Sequence, residues 1–290
     1  MNENLFSTEN FAENGIAYPL KLKTNFIEQE LENEYFKFQS ESKKYLGQSV
    51  SLKPNLLSTF FDKLAFDDNI ISEIKKIIGE DIYIWSSAFF PKEPNEEKIV
   101  SAHQDKPYWQ LTTNNVVSAW IALTDSNENC GALCVVPKSH KIGLINDLDV
   151  KNPRDAYLKG LKTTAENDLL SYNQNLDEYV KENPFIHINL KPGEFSIHHV
   201  NTDHGSGINK SNKHRIGFAV RYISSDTKHL IEKKGDSAIH VCGKKNSYFS
   251  DESRPNKSFS DEAIKIYQKS MNSAGAFGNK KYVYDGKSKS

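Results

Sequence analysis

The sequence predicts a mainly β protein in which helices pack outside a double-layered, mostly antiparallel barrel of the jelly-roll, or cupin-like, type. Three observations lead to this prediction. From Asp81 onward, short apolar and aromatic runs alternate with polar or glycine-containing turns. The chain before Asp81 instead shows helical periodicity. The 16 Phe and 13 Tyr contribute to an aromatic fraction of 11%, which is typical of a packed β-rich interior.

The first part of the chain is predicted to form a helical layer over about residues 20–80. Asn25 and Glu28 have the spacing of a capping box, in which two side chains bond reciprocally to free backbone N–H groups where a helix starts. Two shorter helices are predicted over residues 56–66 and 69–78. The core-facing side of the first helix carries apolar side chains at helical spacing, namely Ile27, Leu31, Tyr35 and Phe38.

The barrel is predicted over about residues 81–245, within a single domain that fills residues 1–290. A charged, partly helical insert over about residues 143–183 interrupts the strand series and is expected to form part of a substrate lid. No stretch of linker-like composition divides the chain. The predicted strands, each bounded by turn residues, cover residues 81–90, 116–123, 132–136, 185–190, 194–200 and 215–223.

The charge balance argues against a nucleic-acid partner. The 37 Lys and Arg residues are matched by 38 Asp and Glu residues, which gives a formal net charge of -1. No stripe of basic residues interleaved with aromatic residues stands out. A small-molecule substrate is therefore the expected partner, and the oligomeric state stays open.

Cysteine usage and the N-terminal segment both favour the cytoplasm. The three cysteines are an odd number and include no C-x-x-C pair, which argues against a disulfide framework or a structural zinc site. Residues 1–18 contain three Glu and no apolar run, so neither a secretory signal nor a membrane span is expected there.

His103 and Asp105 form a His-x-acid motif. In an extended strand, residues two apart project from the same face, so this imidazole and this carboxylate can meet one ion. A distant histidine would complete the two-His, one-carboxylate set that non-haem Fe(II) oxygenases use. With 9 His and 38 acidic residues, about one such triplet is expected by chance, and a surface pair is the simpler interpretation of the motif alone.

His204 and Arg215 supply the distal half of the pattern. His204 lies in a glycine-rich turn after a predicted strand, which would place it at the rim of the barrel. Arg215 opens the next strand, where Gly217 and Ala219 share its face and leave room beside it. A guanidinium in such a cleft suits bidentate binding of a carboxylate. Pairing of Arg215 with a carboxylate of the protein is the alternative.

Other candidate residues are less specific. Trp120 shares its strand face with Ser118 and Ala122, so the indole either walls a cavity or belongs to the core, and the core is favoured. His198 and His199 alternate along their strand, so at most one of them points into the barrel. Structural or exposed roles are favoured for these and the remaining histidines.

Three segments of the chain stand in one order and at compatible spacings. They are residues 103–109 (HQDKPYW), 131–141 (GALCVVPKSHK) and 192–217 (PGEFSIHH, then HGS, then RIG). Together they resemble the phytanoyl-CoA dioxygenase family, in its bacterial branch, and the resemblance extends from about Phe11 to Pro255. One departure is Lys138, which stands where the usual Pro-Gly-Ser-His loop has glycine.

This resemblance implies a double-stranded β-helix fold that uses Fe(II), 2-oxoglutarate and O₂, with ascorbate as the reductant in vitro. His103, Asp105 and His204 match the iron ligands of the family. Arg215 matches the arginine that holds the far carboxylate of 2-oxoglutarate, with Ser206 beside it. Two further positions match residues that line the co-substrate, namely Trp120 and Gln104.

The resemblance also bears on the reaction. Family relatives that halogenate carry a small residue at the carboxylate position, which frees a site for chloride. Asp105 closes that site, so hydroxylation is the expected outcome.

The substrate remains open between small phosphonates, amino-acid-like compounds, natural-product intermediates and acyl thioesters. Lys92, Lys106 and Lys138 flank the motifs and would favour an anionic substrate, although surface lysines explain them equally well. A non-catalytic jelly-roll binding protein with a vestigial metal site is a second alternative. A zinc hydrolase is a third, but the sequence offers no evident general base beside the triad.

Overall fold

The computed structural model describes residues 5–26, 28–109, 111–143, 165–170, 177–229, 236–246 and 248–273. Its strands form two sheets, and side chains from both sheets line one cavity between them. The strands are β1 (Ile16–Lys21), β2 (Ile82–Lys92), β3 (Val100–His103), β4 (Val116–Ala122), β5 (Leu133–Val135), β6 (Ile186–His187), β7 (Glu194–His199), β8 (His204–Ser206), β9 (Arg215–Ser224), β10 (Ser237–Cys242) and β11 (Ser250–Asp251).

The larger sheet has the order β1-β7-β4-β9-β2-β10-β11, and the smaller sheet has the order β3-β8-β5-β6. All pairings are antiparallel except that between β10 and β11. Neighbours in each sheet are mostly distant in sequence. This long-range pairing of two facing sheets is the architecture of a double-stranded β-helix, and it confirms the mainly β prediction.

Helices cover the outer side of the larger sheet. Ser58 caps α3, since its hydroxyl accepts from the backbone N–H of Phe60 at 3.2 Å, and Asp67 caps α4 by accepting from that of Asn69 at 3.0 Å. The helices are α1 (Phe11–Asn14), α2 (Glu28–Leu46), α3 (Thr59–Ala65), α4 (Asp68–Ile78), α5 (Lys106–Trp109), α6 (Asp177–Glu182) and α7 (Asp261–Ser273).

The main core lies between these helices and the larger sheet. Phe61 of α3 is at its centre, with ring centroids 5.5 Å from Phe38, 4.7 Å from Phe89 and 5.4 Å from Phe218. These rings meet mostly edge to face, the geometry that aromatic quadrupoles favour. Because α2, α3, β2 and β9 each contribute a ring, the cluster fixes the helical layer on the sheet.

The inner side of the larger sheet faces the smaller sheet. Trp120 and Ala219 from the larger sheet and Leu133 and Val135 from the smaller one belong to a second, smaller cluster of buried apolar side chains. This cluster closes one part of the space between the sheets and leaves the remainder as the cavity.

Several elements were not predicted. Strands β1, β3 and β10 are short or lie beside polar residues, so their period-2 pattern is weak. The predicted strand over residues 185–190 is regular only at Ile186–His187. Helix α7, which buries Ile264, Tyr267 and Met271 in the main core, was also missed.

The predicted lid over residues 143–183 lies largely outside the described residues. The parts that are described are residue 143, residues 165–170 and helix α6 with the turn after it. Among the described helices, none has both the length and the apolar character needed to cross a bilayer.

Candidate metal centre and co-substrate cavity

The pairing of β3 with β8 places two imidazoles side by side. His103 ends β3, His204 begins β8, and the two residues are direct partners in the ladder, with ring centroids 4.1 Å apart. Asp105 follows in the bend before α5, so the expected continuous strand through this residue is wrong. Its carboxylate nevertheless turns back toward the histidines, and one ligand atom from each of the three buried residues lies within 4.8 Å of the others.

Backbone carbonyl groups orient both imidazoles. The Nδ1 atoms of His103 and His204 lie 2.9 Å from the carbonyl oxygens of Ser101 and Thr202, respectively. A carbonyl only accepts, so each Nδ1 carries the proton and each Nε2 keeps its lone pair. The Nε2 atoms lie 3.6 Å and 3.9 Å from the Asp105 carboxylate oxygens. This outer-shell bonding is typical of metal-ligating histidines, and the donor set fits a divalent cation.

The electrostatics of the site favour the protonation states that bind metal. Burial by itself would raise the pKa of Asp105, but the imidazoles of His204, His103 and His198 hold this pKa well below its usual range. Burial, together with the neighbouring His103, lowers the pKa of His204 well below its usual range. A carboxylate beside a neutral imidazole is the form in which these residues bind a cation.

A third histidine lies beside this group. His198 of β7 points into the cavity, with Nε2 3.9 Å from Asp105 Oδ2 and its ring centroid 4.7 Å from that of His204. Its Nδ1 atom is buried and has no hydrogen-bond partner among the described residues. His199 faces the other side of the strand and contacts Phe11 and His140. The predicted alternation of the two histidines is therefore confirmed.

The triad opens onto a cavity of about 550 Å³ between the two sheets. Arg215, Trp120 and Ser206 line the same cavity, so the fold brings together all but one of the sequence-predicted site residues. Leu169 and Leu170, from the described part of the predicted lid, also line it.

Arg215 presents an uncompensated charge to this cavity. Its Nη1 donates to the carbonyl oxygen of Phe90 at 2.9 Å, while its buried Nε has no partner among the described residues. Among the described residues, no carboxylate forms an ion pair with Arg215, and Glu96 raises its pKa only from a distance. Burial lowers the pKa of Arg215 to about 10, so the group stays charged near neutral pH. A buried guanidinium in this state fits a carboxylate ligand.

Lys92 is a second cation at this end of the cavity, although in the sequence it only flanks a motif. It pairs with Arg215 in the β2–β9 ladder, and its Nζ donates to the carbonyl oxygens of Lys98 at 2.6 Å and Gly207 at 2.5 Å. Burial, and then the nearby Arg215, lower the pKa of Lys92 to about 8. Since the position follows from strand pairing, no local sequence signal reveals it.

Ser206 and Trp120 complete the co-substrate end. The Ser206 Oγ is buried and has no hydrogen-bond partner in the described ranges, so it is available to a ligand. The Trp120 ring centroid lies 5.6 Å from Arg215 Cζ. The indole lies directly over Gly217, where an added Cβ would be 2.0 Å from Trp120 Cζ2. The predicted room beside Arg215 is therefore occupied by this indole.

Gln104 does not line the cavity as expected, and Lys138 keeps the backbone conformation of the glycine that it replaces. The Gln104 side chain is buried, and its Nε2 donates to the carbonyl oxygens of Gly143 at 3.0 Å and Asn201 at 2.9 Å, so it ties loops together behind the cavity. Lys138 adopts a φ of 68°, the left-handed conformation that glycine would favour. Its side chain forms an ion pair with Glu13 at 3.0 Å. The lysine thus keeps a conformation suited to glycine.

Comparison with known proteins gives three kinds of match. The family model described as phytanoyl-CoA dioxygenase (PhyH) matches residues 17–217. A probable alpha-ketoglutarate-dependent hypophosphite dioxygenase from Stutzerimonas stutzeri is 25% identical over 205 residues, covering 69% of this chain and 66% of that protein. The peroxisomal phytanoyl-CoA dioxygenase of Homo sapiens is 25% identical over 254 residues, covering 80% and 71%. The ectoine dioxygenase of Halomonas elongata is 29% identical over 176 residues, covering 59% and 52%.

The chain therefore spans between about half and seven tenths of the length of these curated relatives. Among solved structures, the non-heme monooxygenase ThoJ in its nickel complex has a TM-score of 0.70 at 21% identity, covering 92% of this chain and 96% of that one. CytC3 with Fe(II) and alpha-ketoglutarate has a TM-score of 0.59 at 18% identity, covering 87% and 94%. These structural likenesses establish the fold.

Proposed function

The chain belongs to the phytanoyl-CoA dioxygenase family of non-haem iron, 2-oxoglutarate-dependent oxygenases, and we propose that it hydroxylates a C–H bond of a small organic substrate. One observation carries the proposal. A complete two-His, one-carboxylate group opens onto the same cavity as two buried cations, Arg215 and Lys92. This combination matches a site for a divalent metal and a dicarboxylate co-substrate.

His103, Asp105 and His204 would hold the metal. Three protein ligands leave further coordination positions for the co-substrate and O₂. Bound Fe(II) would supply the activation of O₂ that couples oxidation of 2-oxoglutarate to succinate and CO₂ with oxidation of the substrate. The chain contributes a fixed ligand geometry, since both imidazoles are locked by backbone carbonyl groups.

Arg215, Lys92 and Ser206 would select and orient 2-oxoglutarate. The guanidinium offers two parallel donors to its far carboxylate, and the unpartnered Ser206 hydroxyl offers another donor. Trp120 walls the cavity beside Arg215 and limits the positions that the chain of the co-acid can adopt. The co-substrate would thus be fixed at one end before it reaches the metal.

Asp105 supports hydroxylation over halogenation. Family relatives that halogenate carry a small residue at this position, whereas here a buried carboxylate is directed at both histidines. The substrate is proposed to be small because the cavity of about 550 Å³ must hold 2-oxoglutarate as well. An acyl-CoA would place only its reacting end inside.

The proposal is tested by succinate release. Metal-free protein supplied with Fe(II), ascorbate, O₂ and 2-oxoglutarate is expected to form succinate slowly without a primary substrate, and a chelator should stop the reaction. Arg215→Gln should raise the KM for 2-oxoglutarate about 30-fold, because it removes charge-assisted hydrogen bonds. Arg215→Lys keeps the charge and is expected to show a smaller rise.

Two results would contradict the proposal. Absence of both metal binding and succinate formation would indicate the alternative, a jelly-roll binding protein with a vestigial site. An unchanged KM for 2-oxoglutarate in Arg215→Gln would remove the proposed co-substrate contact. A screen with aminoalkylphosphonates, amino acids and acyl-CoAs then identifies the primary substrate by its stimulation of succinate release.

A further inference from the structure

A second arginine of β9 faces the cavity on the metal side. Arg221 lies six residues after Arg215 on the same strand face. It pairs with Ser118 in the β4–β9 ladder, and Ser118 pairs in turn with His198 in the β4–β7 ladder. Arg221, Ser118 and His198 are therefore cross-strand neighbours, and this line of residues lies beside the triad. Trp120 and its cross-strand partner Ala219 separate this line from Arg215.

Two aromatic rings hold the Arg221 guanidinium. Its Cζ lies 5.3 Å from the ring centroid of Phe90 and 5.6 Å from that of Trp109. Arg221, Phe90 and Trp109 line both the main cavity and an adjoining cavity of about 240 Å³. The guanidinium is thus fixed by cation–π contacts at the junction of the two spaces, where a substrate would lie beside the metal.

Arg221 has no hydrogen-bond or ion-pair partner among the residues that the structure describes. Its Nε is buried and unsatisfied, and burial lowers the pKa of the side chain. Arg254 provides a contrast, because it donates to Asp62 through Nε at 2.9 Å and Nη2 at 2.7 Å. The side chain as a whole is half-buried, and Asp105, whose charge acts on it without forming an ion pair, belongs to the metal group. The guanidinium therefore lacks a hydrogen-bonded anion, which a ligand from outside can supply.

We propose that Arg221 binds the anionic group of the primary substrate, so that the substrate is a small carboxylate or phosphonate whose reacting C–H bond lies a few bonds from its anion. This inference rests on the proposed function. Arg215 and Lys92 already account for the far carboxylate of 2-oxoglutarate, and Asp105 is taken up by the metal group. Phe90 and Trp109 provide apolar walls for the rest of the substrate.

The lysines singled out from the sequence do not serve this purpose. Lys92 lies at the Arg215 end, Lys138 pairs with Glu13 on the surface, and the Lys106 Nζ donates to Asn114. If the substrate is anionic, as the sequence suggests, Arg221 rather than one of these lysines would bind its anionic group.

The test uses methylphosphonate as a probe of the anion site. The full chain is loaded with Zn(II) and N-oxalylglycine, an unreactive stand-in for 2-oxoglutarate, and methylphosphonate binding is followed by ³¹P NMR. Arg221→Gln is expected to weaken methylphosphonate binding about tenfold or more. Arg221→Lys should weaken it less, since lysine keeps the positive charge and loses only the bidentate hydrogen bonding. Arg254→Gln, which removes an arginine outside the cavity, should leave methylphosphonate binding unchanged.

The affinity for N-oxalylglycine shows whether Arg221 binds an oxyanion of the primary substrate or a carboxylate of 2-oxoglutarate. If Arg221 serves the primary substrate, Arg221→Gln should change this affinity by less than about twofold. A loss as large as that in Arg215→Gln would assign Arg221 to the near carboxylate of 2-oxoglutarate and overturn the substrate assignment. Thermal unfolding checks that each variant is folded. Replacing Arg221 loses its contacts with Phe90 and Trp109 and is expected to change the Tm by no more than about 2–4 °C.

Failure of this inference differs from failure of the proposed function. If wild-type protein releases succinate and binds N-oxalylglycine, but methylphosphonate does not bind or binds equally well to Arg221→Gln, only the Arg221 assignment is wrong. If wild-type protein neither binds N-oxalylglycine nor releases succinate, the proposed function itself is wrong.

Discussion

The two faces of strand β9 differ completely in chemistry, although they alternate residue by residue. Ile216, Phe218, Val220 and Tyr222 point outward, and each is 0% exposed within the main core. The inner face instead presents two arginines, with glycine and alanine between them, to the cavity. One strand thus serves both packing and binding.

Burial of the outer face stabilises the fold, whereas the side that faces the cavity gives up stability for binding. The outer face contacts aromatic rings from helices and neighbouring strands, so its burial stabilises the fold. The strands around the cavity leave several buried polar atoms without partners in the described residues, and each such atom lowers stability. They belong to Ser118, Ser196, His198, Ser206, Arg215 and Arg221.

Asp105→Ala tests the cavity side most severely. Loss of one of three metal ligands is expected to lower succinate formation at least about 100-fold, and the iron content should fall with it. The Tm of the metal-free protein at neutral pH should also fall, because the neighbouring imidazoles that hold the pKa of Asp105 low stabilise its ionised form in the folded state. Succinate assays, metal analysis and thermal unfolding measure the three quantities. Full activity with full iron content would show that Asp105 is not a ligand.

Phe218→Ala tests the core side. Truncating this fully buried ring is expected to lower the free energy of unfolding by about 3–5 kcal/mol. Affinity of the folded protein for N-oxalylglycine should stay unchanged, since the ring does not line the cavity. Urea unfolding measures the first quantity and calorimetric titration the second. Phe36→Ala, at a side chain that is 42% exposed, is the matched control with a small expected effect. A weaker ligand affinity in Phe218→Ala would erase the distinction between the two faces.

Gly217→Ala tests a position at which the inner face of β9 is tightly packed. The new Cβ would lie 2.0 Å from Trp120 Cζ2, so the indole must move. Overpacking of this kind costs about 1–3 kcal/mol, and N-oxalylglycine affinity should fall because Trp120 walls the Arg215 end. The double variant with Trp120→Phe should recover part of the stability. Gly207→Ala, where a Cβ meets nothing within 4 Å, should be nearly neutral for unfolding, and an equal loss there would refute the packing argument.

Much of the candidate site was visible in the sequence. The period-2 pattern of β9 assigned its two faces correctly, because successive side chains of a strand must point to opposite sides. The motif containing His103 and Asp105 and the distant His204 were selected from donor chemistry and from the family resemblance, and the fold brings their ligand atoms together. The helices over residues 59–78 were also close to prediction, because their caps lie next to the apolar periodicity.

The rest required strand partners that lie far apart in sequence. In the sequence, Lys92 is one of three lysines that flank the motifs, and only its pairing with Arg215 across β2 and β9 places it at the cavity. Gln104 shares a motif with two candidate ligands, yet its amide bonds to backbone carbonyl groups behind the cavity. Burial and partnership of a polar side chain depend on every element around it, so local sequence does not fix them.

The sequence by itself determined which side chains share a face of each strand and which donor types are present, because alternation and chemistry are local properties. The strand pairing of the folded protein places His103 opposite His204 and Lys92 beside Arg215, and it leaves Arg221 without a hydrogen-bond or ion-pair partner among the described residues. Sheet register is set by the collective burial of one face of every strand, so these neighbours emerge only when the whole barrel is assembled.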